Sequence, residues 1–244
     1  MDIDFKGKTA LVTGAGKGIG RATVKLLSKC GANIVALSRT KSDLDSLKDE
    51  VSTKFVPVVA DLMKLDDAIK AIEATGEPID LLVNNAAMVI LKETLDVTDD
   101  DIDRSVTINM KAPLRLSQFV ARDLIKRKKP GAIVNISTTI TQFASAGYMP
   151  YTMSKAALDN ATIAMAAELA KHKIRVNSVL PGLVDTPFAT TIPREVIENF
   201  LVNIPRGERA SSEDIADTIV YLLSDRASNI VGSKIVSDGG MFIK

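Results

Sequence analysis

Residues that form disulfides, aromatic stacking surfaces and histidine-based catalytic centres are scarce in this sequence. Its 244 residues include one cysteine, one histidine and no tryptophan, and aromatic residues make up 4%. A lone cysteine, Cys30, excludes an internal disulfide and indicates a reducing compartment, so we expect a cytoplasmic protein. The few aromatics argue against a surface on which nucleic-acid bases stack. A Ser-His-Asp hydrolase would need His172 as its base, but flanking lysines suggest a helix C-terminus there.

An excess of charge of one sign is also lacking. The formal net charge is +1 at pH 7, so no overall field attracts nucleic acid or a membrane. The first residues, MDIDFKGK, are charged and contain no apolar core of a signal peptide. Residues 130–154 carry no charge, but they are too rich in Ser, Thr, Gly and Pro for a membrane span. We therefore predict neither nucleic acid nor a membrane as a partner, and no metal site.

What the sequence does contain is a regular alternation of short apolar segments and longer segments with helical periodicity. The apolar segments read as strands and include TALVT, NIVALS, FVPVVA, IDLLVNNA, GAIVNIS, IRVNSVL and SKIVSDGG. Strands separated by helices predict βαβ units, and hence an α/β fold with a Rossmann-like, doubly wound parallel sheet and helices on both faces. The length fits one large domain, residues 1–244.

The segment TGAGKGIG, Thr13 to Gly20, holds four glycines between the first strand and a helix expected from about Ile19 to Lys29. Exposed N–H groups at such a turn attract an anion, and glycine allows a phosphate to approach the backbone. A P-loop is excluded because Lys17 is followed by Gly18. The glycine spacing also differs from G-x-G-x-x-G, so the turn alone leaves a purely structural role open.

Over its whole length the chain resembles the short-chain dehydrogenase/reductase family. That family uses T-G-x-x-x-G-x-G, which Thr13, Gly14, Gly18 and Gly20 match. Further motifs follow in the family's order and spacing: DLM from Asp61, NNAA at Asn84–Ala87, Asn109, YTMSK from Tyr151 and PGLVDT from Pro181. Segments such as VTGAGKGIGR, LLVNNAA and HKIRVN are most similar to the members that reduce L-xylulose and dicarbonyl compounds.

The resemblance implies a dinucleotide cofactor, and the residues after the second strand indicate NADP(H). An acidic residue there would bind a ribose 2′-hydroxyl, whereas an arginine accommodates a 2′-phosphate. Ser38, Arg39 and Thr40 stand at this place, so we expect Arg39 and Lys17 to converge on the phosphate; the alternative is two solvated cations on loop edges. The family pattern adds further cofactor-binding residues: Gly14, Gly18, Ile19, Gly20, Asp61, Leu62, Asn85, Tyr151, Lys155, the backbone of Val184 and the hydroxyl of Thr186.

The expected catalytic pair is Tyr151 and Lys155, which share a helix face because they lie four residues apart. A tyrosine titrates near ~10, so we expect the ammonium to lower its pKa and assist proton transfer. The family also has a serine thirteen residues before the tyrosine that holds the substrate carbonyl. Thr138 occupies that position here, so we predict it as the substrate-binding hydroxyl with Tyr151, and Ser137 as the fallback. Asn109 matches the family asparagine that supports a water near the lysine.

The activity implied by the resemblance is NADPH-dependent reduction of a ketose such as L-xylulose, or of a small α-dicarbonyl, by a homotetramer. One alternative is a 3-oxoacyl or other carbonyl reductase of the same family. An alternative of another class is a catalytically silent NADP(H)-binding interaction protein, which the intact set of Asn109, Tyr151 and Lys155 opposes. Residues after PGLVDT, as far as about Pro205, are expected to form a substrate lid.

Overall fold

The computed structural model describes residues 3–143, 146–187, 189 and 194–243. Within these residues, seven strands form one sheet in the order β3-β2-β1-β4-β5-β6-β7, and all neighbours are parallel. The prediction of a parallel α/β sheet is confirmed. The strands are β1 Thr9–Thr13, β2 Asn33–Ser38, β3 Phe55–Val59, β4 Leu81–Asn84, β5 Gly131–Ile136, β6 Ile174–Pro181 and β7 Lys234–Ser237.

Helices cover both faces of this sheet, as predicted. Strand residues alternate between two core clusters: Val12 packs with the helices on one face, whereas Leu11 packs with the helices on the other. This alternation follows from the period-two orientation of side chains along a strand. The helices are α1 Gly18–Lys29, α2 Lys41–Lys48, α3 Leu65–Glu73, α4 Asp99–Val106, α5 Ala112–Arg127, α6 Met149–Leu169, α7 Arg194–Leu201 and α8 Ser212–Leu223.

The strand order reverses between β1 and β4. The chain builds β1, β2 and β3 outward on one side and then returns to lay β4 on the other side of β1. In the register, Val12 of β1 lies between Ala36 of β2 and Val83 of β4. Ligands of open α/β sheets bind beyond the carboxyl ends of the strands at such a reversal. The end of β1, at Thr13, therefore marks the expected place of the site.

One predicted helix is interrupted. The sequence suggested a long helix from the aspartates near residue 99 to the lysines near residue 128, but α4 and α5 are separated by a π-helical turn, Thr107–Lys111. Thr98 and Asp101 form a capping box at the start of α4, which explains why the aspartates cluster there. A π-turn inside a helix frequently marks a functional site, and this one contains Asn109.

None of the helices in the described part of the chain is both long enough and apolar enough to cross a membrane. The longest, α6, spans 21 residues but carries buried polar side chains, including Lys155 and Asp159.

Candidate active site

A cleft of about 480 Å³ opens at the carboxyl ends of the strands, where β1 and β4 meet. Nearly all residues predicted for the site line it, although they are spread over more than 170 positions of sequence. Gly20 and Asn109 are the two predicted residues that lie behind its surface. The predicted residues in the lining are Gly14, Lys17, Gly18, Ile19, Ser38, Arg39, Thr40, Asp61, Leu62, Asn85, Thr138, Tyr151, Lys155, Val184 and Thr186.

The glycine turn leaves no room for side chains. Gly14 has φ +63°, and a Cβ there would lie 2.9 Å from Asn85 Nδ2 and 3.0 Å from Ala86 Cα. A Cβ on Gly20 would lie only 2.2 Å from the carbonyl oxygen of Gly14. Asn85 holds the turn to β4, since its Nδ2 donates to the carbonyls of Thr13 at 3.0 Å and Gly14 at 3.2 Å. Bare backbone at the start of the twelve-residue helix α1 fits the pyrophosphate of a dinucleotide.

The end of the cleft nearest β2 carries both expected cations and one carboxylate that was not expected. Lys17 Nζ lies 3.4 Å from Asp43 Oδ2, and Arg39 lines the same region with the Ser38 hydroxyl. Sequence reasoning noted the missing acid after β2 but overlooked Asp43, because it comes from the first turn of α2. A Cβ on Gly16 would lie 2.7 Å from Asp43 Cβ, so glycine allows this close approach. The two cations, Lys17 and Arg39, outnumber the single carboxylate of Asp43, so the net positive charge at this end of the cleft still favours a bound phosphate.

Four further predicted cofactor residues, Asp61, Leu62, Val184 and Thr186, lie on the loops that follow β3 and β6. Asp61 is held by its own turn, because its Oδ1 accepts a hydrogen bond from the Met63 amide at 3.0 Å. Val184 is buried and pairs in an isolated bridge with Ala210. A Cβ on Gly18 would lie 3.0 Å from Thr186 Cγ2, so the loop after β6 closes directly over the glycine turn.

The predicted catalytic pair lies in the first two turns of α6 and is almost wholly buried. Tyr151 is 7% exposed and Lys155 is 1% exposed. Lys155 Nζ donates a hydrogen bond of 2.6 Å to the carbonyl oxygen of Ile136, at the end of β5. Burial lowers the pKa of Lys155 to about 8, and the nearby charge of Asp159 opposes part of that shift. The lysine is therefore mostly protonated at neutral pH, and it loses its proton as the pH rises through about 8.

The pKa of Tyr151 differs from the expectation. Burial raises it, and the nearby Thr138 hydroxyl offsets part of the increase. In the protein alone Lys155 does not lower this pKa, since its ammonium donates to the Ile136 carbonyl. Tyr151 is consequently a protonated phenol at neutral pH. The lowering that we expected also relies on the positive ring of the bound cofactor, and for that complex it stays a prediction.

Of the two candidate hydroxyls before Tyr151, the structure brings Thr138 to the tyrosine. Its hydroxyl lies near enough to the Tyr151 phenol to favour the ionised form of that group, and it accepts a hydrogen bond from the Ile140 amide at 3.4 Å. Ser137 is different: its buried hydroxyl has no hydrogen-bond partner among the described residues that meets normal geometry, and it lies beside Asp159, where it helps to lower the pKa of that carboxyl. The position assigned by counting back from the tyrosine is therefore the one in contact with it.

Asn109 supports the site from behind. From the π-turn, its Oδ1 accepts from the Met88 amide at 2.9 Å, and its Nδ2 donates to the Met88 carbonyl at 2.8 Å and to Ser154 Oγ at 3.0 Å. Ser154 Oγ in turn donates to the Tyr151 carbonyl at 2.8 Å. The asparagine thus ties the loop after β4 to the helix turn that carries the catalytic pair.

Sequence reasoning missed two buried residues of the site. Tyr148 is 4% exposed and lines the cleft, and its hydroxyl has no hydrogen-bond partner within the described ranges. Asp159 lies one turn after Lys155 on α6 and is also buried. Tyr148 lies three residues before Tyr151, and Asp159 lies four residues after Lys155. Residues at these spacings share a helix face, so the sequence contained a signal for both. The expected lid is only partly described, since Phe188 and residues 190–193 lie outside the described residues.

Comparison with known proteins agrees with this geometry. The profile of a family described as enoyl-(acyl carrier protein) reductase matches residues 14–242. An L-xylulose reductase from Bos taurus is 46% identical over 246 residues, with 98% of each chain covered. The chain belongs to the short-chain dehydrogenase/reductase family. It is accordingly an oxidoreductase, and its cofactor is a nicotinamide dinucleotide.

Other members of the short-chain dehydrogenase/reductase family are similar over almost the same length. A protein named carbonyl reductase [NADPH] 2 from Sus scrofa is 42% identical over 242 residues, covering 98% of each chain. A crystal structure described as an NAD(P)-dependent gluconate 5-dehydrogenase from Beutenbergia cavernae, with NADP bound at low occupancy, has a TM-score of 0.92. Its sequence is 31% identical, and 99% of each chain is covered.

Proposed function

We propose that the protein is an NADPH-dependent carbonyl reductase that acts on a ketose such as L-xylulose or on a small α-dicarbonyl compound. The observation that carries this proposal is that Thr138 and the protonated phenol of Tyr151 line the cleft together, with the buried Lys155 one helical turn beyond the tyrosine. It puts a proton donor and a second hydroxyl together at the edge of a cleft that fits a dinucleotide. The bound cofactor would supply the hydride.

Tyr151 holds the proton that a reduced carbonyl needs. Because burial raises its pKa, the phenol is protonated at neutral pH, which is the state required for a general acid. We assign Thr138 as the hydroxyl that orients the substrate oxygen toward Tyr151, because both side chains line the cleft and lie near enough to interact. We assign both groups to one atom, the carbonyl oxygen of the substrate.

Lys155 supports the tyrosine and the cofactor ribose. Its burial excludes water, and its charge stabilises negative charge that develops nearby. Since its pKa is about 8, activity is expected to fall as the pH rises through that value and the ammonium loses its proton.

Selection of NADPH over NADH is assigned to Lys17 and Arg39. Both line the end of the cleft where the 2′-phosphate of an NADP would lie in this family. Asp43 neutralises part of the charge of Lys17, so we expect Arg39 to be the stronger determinant. The Sus scrofa relative is named for NADPH and the Beutenbergia cavernae structure contains NADP, which supports the same choice.

A polar substrate is favoured by the unpartnered hydroxyl of Tyr148. This buried phenol lies in the cleft lining with Thr138 and Tyr151. A buried hydroxyl without a partner is unfavourable, and a second oxygen next to the reacting carbonyl would satisfy it. In ketoses and α-dicarbonyls this second oxygen is on the carbon next to the reacting carbonyl carbon. In 3-oxoacyl thioesters it is one carbon atom further away.

A 3-oxoacyl reductase is the second candidate function. The matching family profile is described by an acyl-carrier-protein substrate, and Phe200 and Met241 add apolar surface to the cleft. We also keep as proposals that residues 1–244 form one domain and that the protein is a homotetramer. Limited proteolysis and analytical ultracentrifugation test these two points.

The assay that separates these functions measures NADPH oxidation with L-xylulose, diacetyl and an acetoacetyl thioester in parallel. Turnover of L-xylulose or diacetyl with the highest kcat/KM supports the proposed function. Preference for the thioester assigns the second candidate. Tight NADPH binding without oxidation in any of the three reactions would identify a silent binding protein and contradict the proposal.

The Thr138 hydroxyl is expected to be essential to turnover. Thr138→Val keeps the shape but removes the donor, so kcat should fall about 100-fold or more, whereas Thr138→Ser should be close to neutral. Ser137→Ala is the comparison variant and should matter little at neutral pH, below the alkaline limb, because Ser137 lies against Asp159 rather than Tyr151. Steady-state kinetics of the three variants are the measurement. A crippled Ser137→Ala together with a fully active Thr138→Val would mean that the wrong hydroxyl has been assigned.

Tyr148→Phe is expected to discriminate between substrates with one and with two oxygens. Loss of one hydrogen bond should lower kcat/KM for diacetyl about tenfold and leave that for butanone, a monoketone of the same length, nearly unchanged. Tyr221→Phe on the exposed face of α8 serves as the control. Equal losses for diacetyl and butanone would show that Tyr148 does not recognise the second oxygen.

A further inference from the structure

Lys155 is a buried ammonium whose contacts leave its charge only partly compensated. Its one hydrogen bond that the structure records runs to the carbonyl oxygen of Ile136, which is a dipole and not a counter-charge. A charge taken out of water is costly unless an opposite charge accompanies it. The side chain whose charge supports the protonated form of Lys155 is Asp159, one helical turn further along α6.

Asp159 is itself almost inaccessible, with 4% of its surface exposed. Its Oδ2 lies 3.1 Å from Thr141 Oγ1, and its Oδ1 has no hydrogen-bond partner in the part of the chain that the structure describes. Ser137 lies near enough to interact with the same carboxyl group. A buried carboxyl with an unpartnered oxygen is unfavourable for folding, which indicates a role that outweighs this cost.

Thr141 links this carboxyl group to the turn that carries Thr138. Thr141 Oγ1 lies 2.9 Å from the Thr138 carbonyl oxygen as well as 3.1 Å from Asp159 Oδ2. It also accepts a hydrogen bond from Gln142 Nε2 at 2.9 Å. The hydroxyl of Thr141 therefore fixes Asp159 relative to the substrate side of the cleft, directly behind the catalytic pair.

We infer that Asp159 is a positioning residue, whose buried carboxyl group, one helical turn beyond Lys155, supplies the negative charge that favours the ammonium form of that lysine. The charged groups that face it are Lys155 on its own helix and Lys234 on β7, and both favour its ionised form. Burial raises the pKa of Asp159, and the hydroxyls of Ser137 and Thr141 together with the two lysines oppose that rise. The consequence for catalysis rests on the proposed function, but the effect on Lys155 does not.

The titration of Lys155 tests the inference in the protein without substrate or cofactor. NMR of ¹³C-lysine-labelled protein follows the Lys155 ε-carbon, assigned by its loss in Lys155→Met. In Asp159→Asn the midpoint should move about one pH unit lower, because the neutral amide no longer favours the ammonium. Glu168→Gln is the matched control, since it removes one negative charge from an exposed position of the same helix, and it should leave the midpoint unchanged.

The pH profile of kcat/KM provides the catalytic readout. In Asp159→Asn the alkaline limb should move to lower pH by the same interval, so the rate near pH ~8 falls about fivefold while the rate well below the limb is preserved. Thr141→Val removes the hydroxyl beside the carboxylate and should move both readouts in the same direction by a smaller amount. If Asp159→Asn does not fold, Thr141→Val tests the inference in its place.

The two readouts distinguish the possible failures. A Lys155 midpoint that is the same in Asp159→Asn and Glu168→Gln, or in Thr141→Val and wild type if the first variant is unfolded, overturns the inference. A shifted midpoint in a protein that reduces no carbonyl compound leaves Asp159 as the counter-charge and contradicts the proposed function instead.

Discussion

Tyr151→Phe is expected to abolish carbonyl reduction while dinucleotide binding stays within about twofold of wild type. The phenol is the buried group that holds a proton at neutral pH in contact with Thr138, and phenylalanine keeps the ring but not the proton. Loss of a positioned general acid costs typically ~10²–10⁴-fold, and no other titratable acid is among the residues predicted to touch the substrate oxygen. Single-turnover NADPH oxidation and a separate NADPH binding isotherm are the two measurements.

Lys155→Met should behave differently from Tyr151→Phe. Because we assign the ammonium to both the tyrosine and the ribose, this variant is expected to lose turnover and to bind the dinucleotide more weakly. Tyr221→Phe, on the exposed part of α8, is the matched control and should be fully active. Appreciable turnover in Tyr151→Phe would show that another acid carries the reaction.

Arg39→Asp is expected to reverse the cofactor preference. Two charge-assisted contacts at ~1.5–3 kcal/mol each predict that the wild type binds NADPH at least about 100-fold more tightly than NADH. Replacing Arg39 with a carboxylate removes the stronger contact and adds repulsion next to Asp43, while a carboxylate can accept from a free 2′-hydroxyl. NADPH should therefore be weakened far more than NADH. Isothermal titration calorimetry with both dinucleotides measures the ratio directly.

Arg122→Asp is the control for this charge reversal, because Arg122 is exposed on α5 and does not line the cleft. Its ratio of NADPH to NADH affinity should equal that of the wild type. Equal affinities of the wild type for the two dinucleotides would contradict the assignment of Lys17 and Arg39. A parallel titration with adenosine 2′-phosphate reports on the same contacts without the nicotinamide half.

The architecture was predictable because its causes are local and periodic. Buried strands such as Ile34–Leu37 form continuous apolar runs, and the intervening helices present one apolar side. The glycine turn was predictable for the same reason, since Gly14 and Gly20 are required by backbone contacts within a few residues or with one neighbouring strand. Such features depend on residue type at a fixed spacing.

The features that were not predicted depend on what meets across the fold. Asp43 reaches Lys17 from a different element, and nothing in its local sequence distinguishes it from the solvent-exposed Asp45 of the same helix. The raised pKa of Tyr151 is a consequence of burial, which the Y-x-x-x-K spacing does not contain. The π-turn at Asn109 likewise uses ordinary helix-forming residues, and its geometry is visible only with Met88 and Ser154 in place.

The central claim, that this chain reduces a carbonyl by direct hydride transfer from NADPH, is tested most directly with cofactor that carries deuterium at the transferring position of the nicotinamide. The wild-type protein is incubated with this NADPH and L-xylulose or diacetyl, and the alcohol formed is analysed by mass spectrometry and NMR. We predict one deuterium on the former carbonyl carbon for each NADPH oxidised, and no product with Tyr151→Phe. An alcohol without deuterium, or no oxidation of NADPH by the wild type with either substrate, would contradict the account.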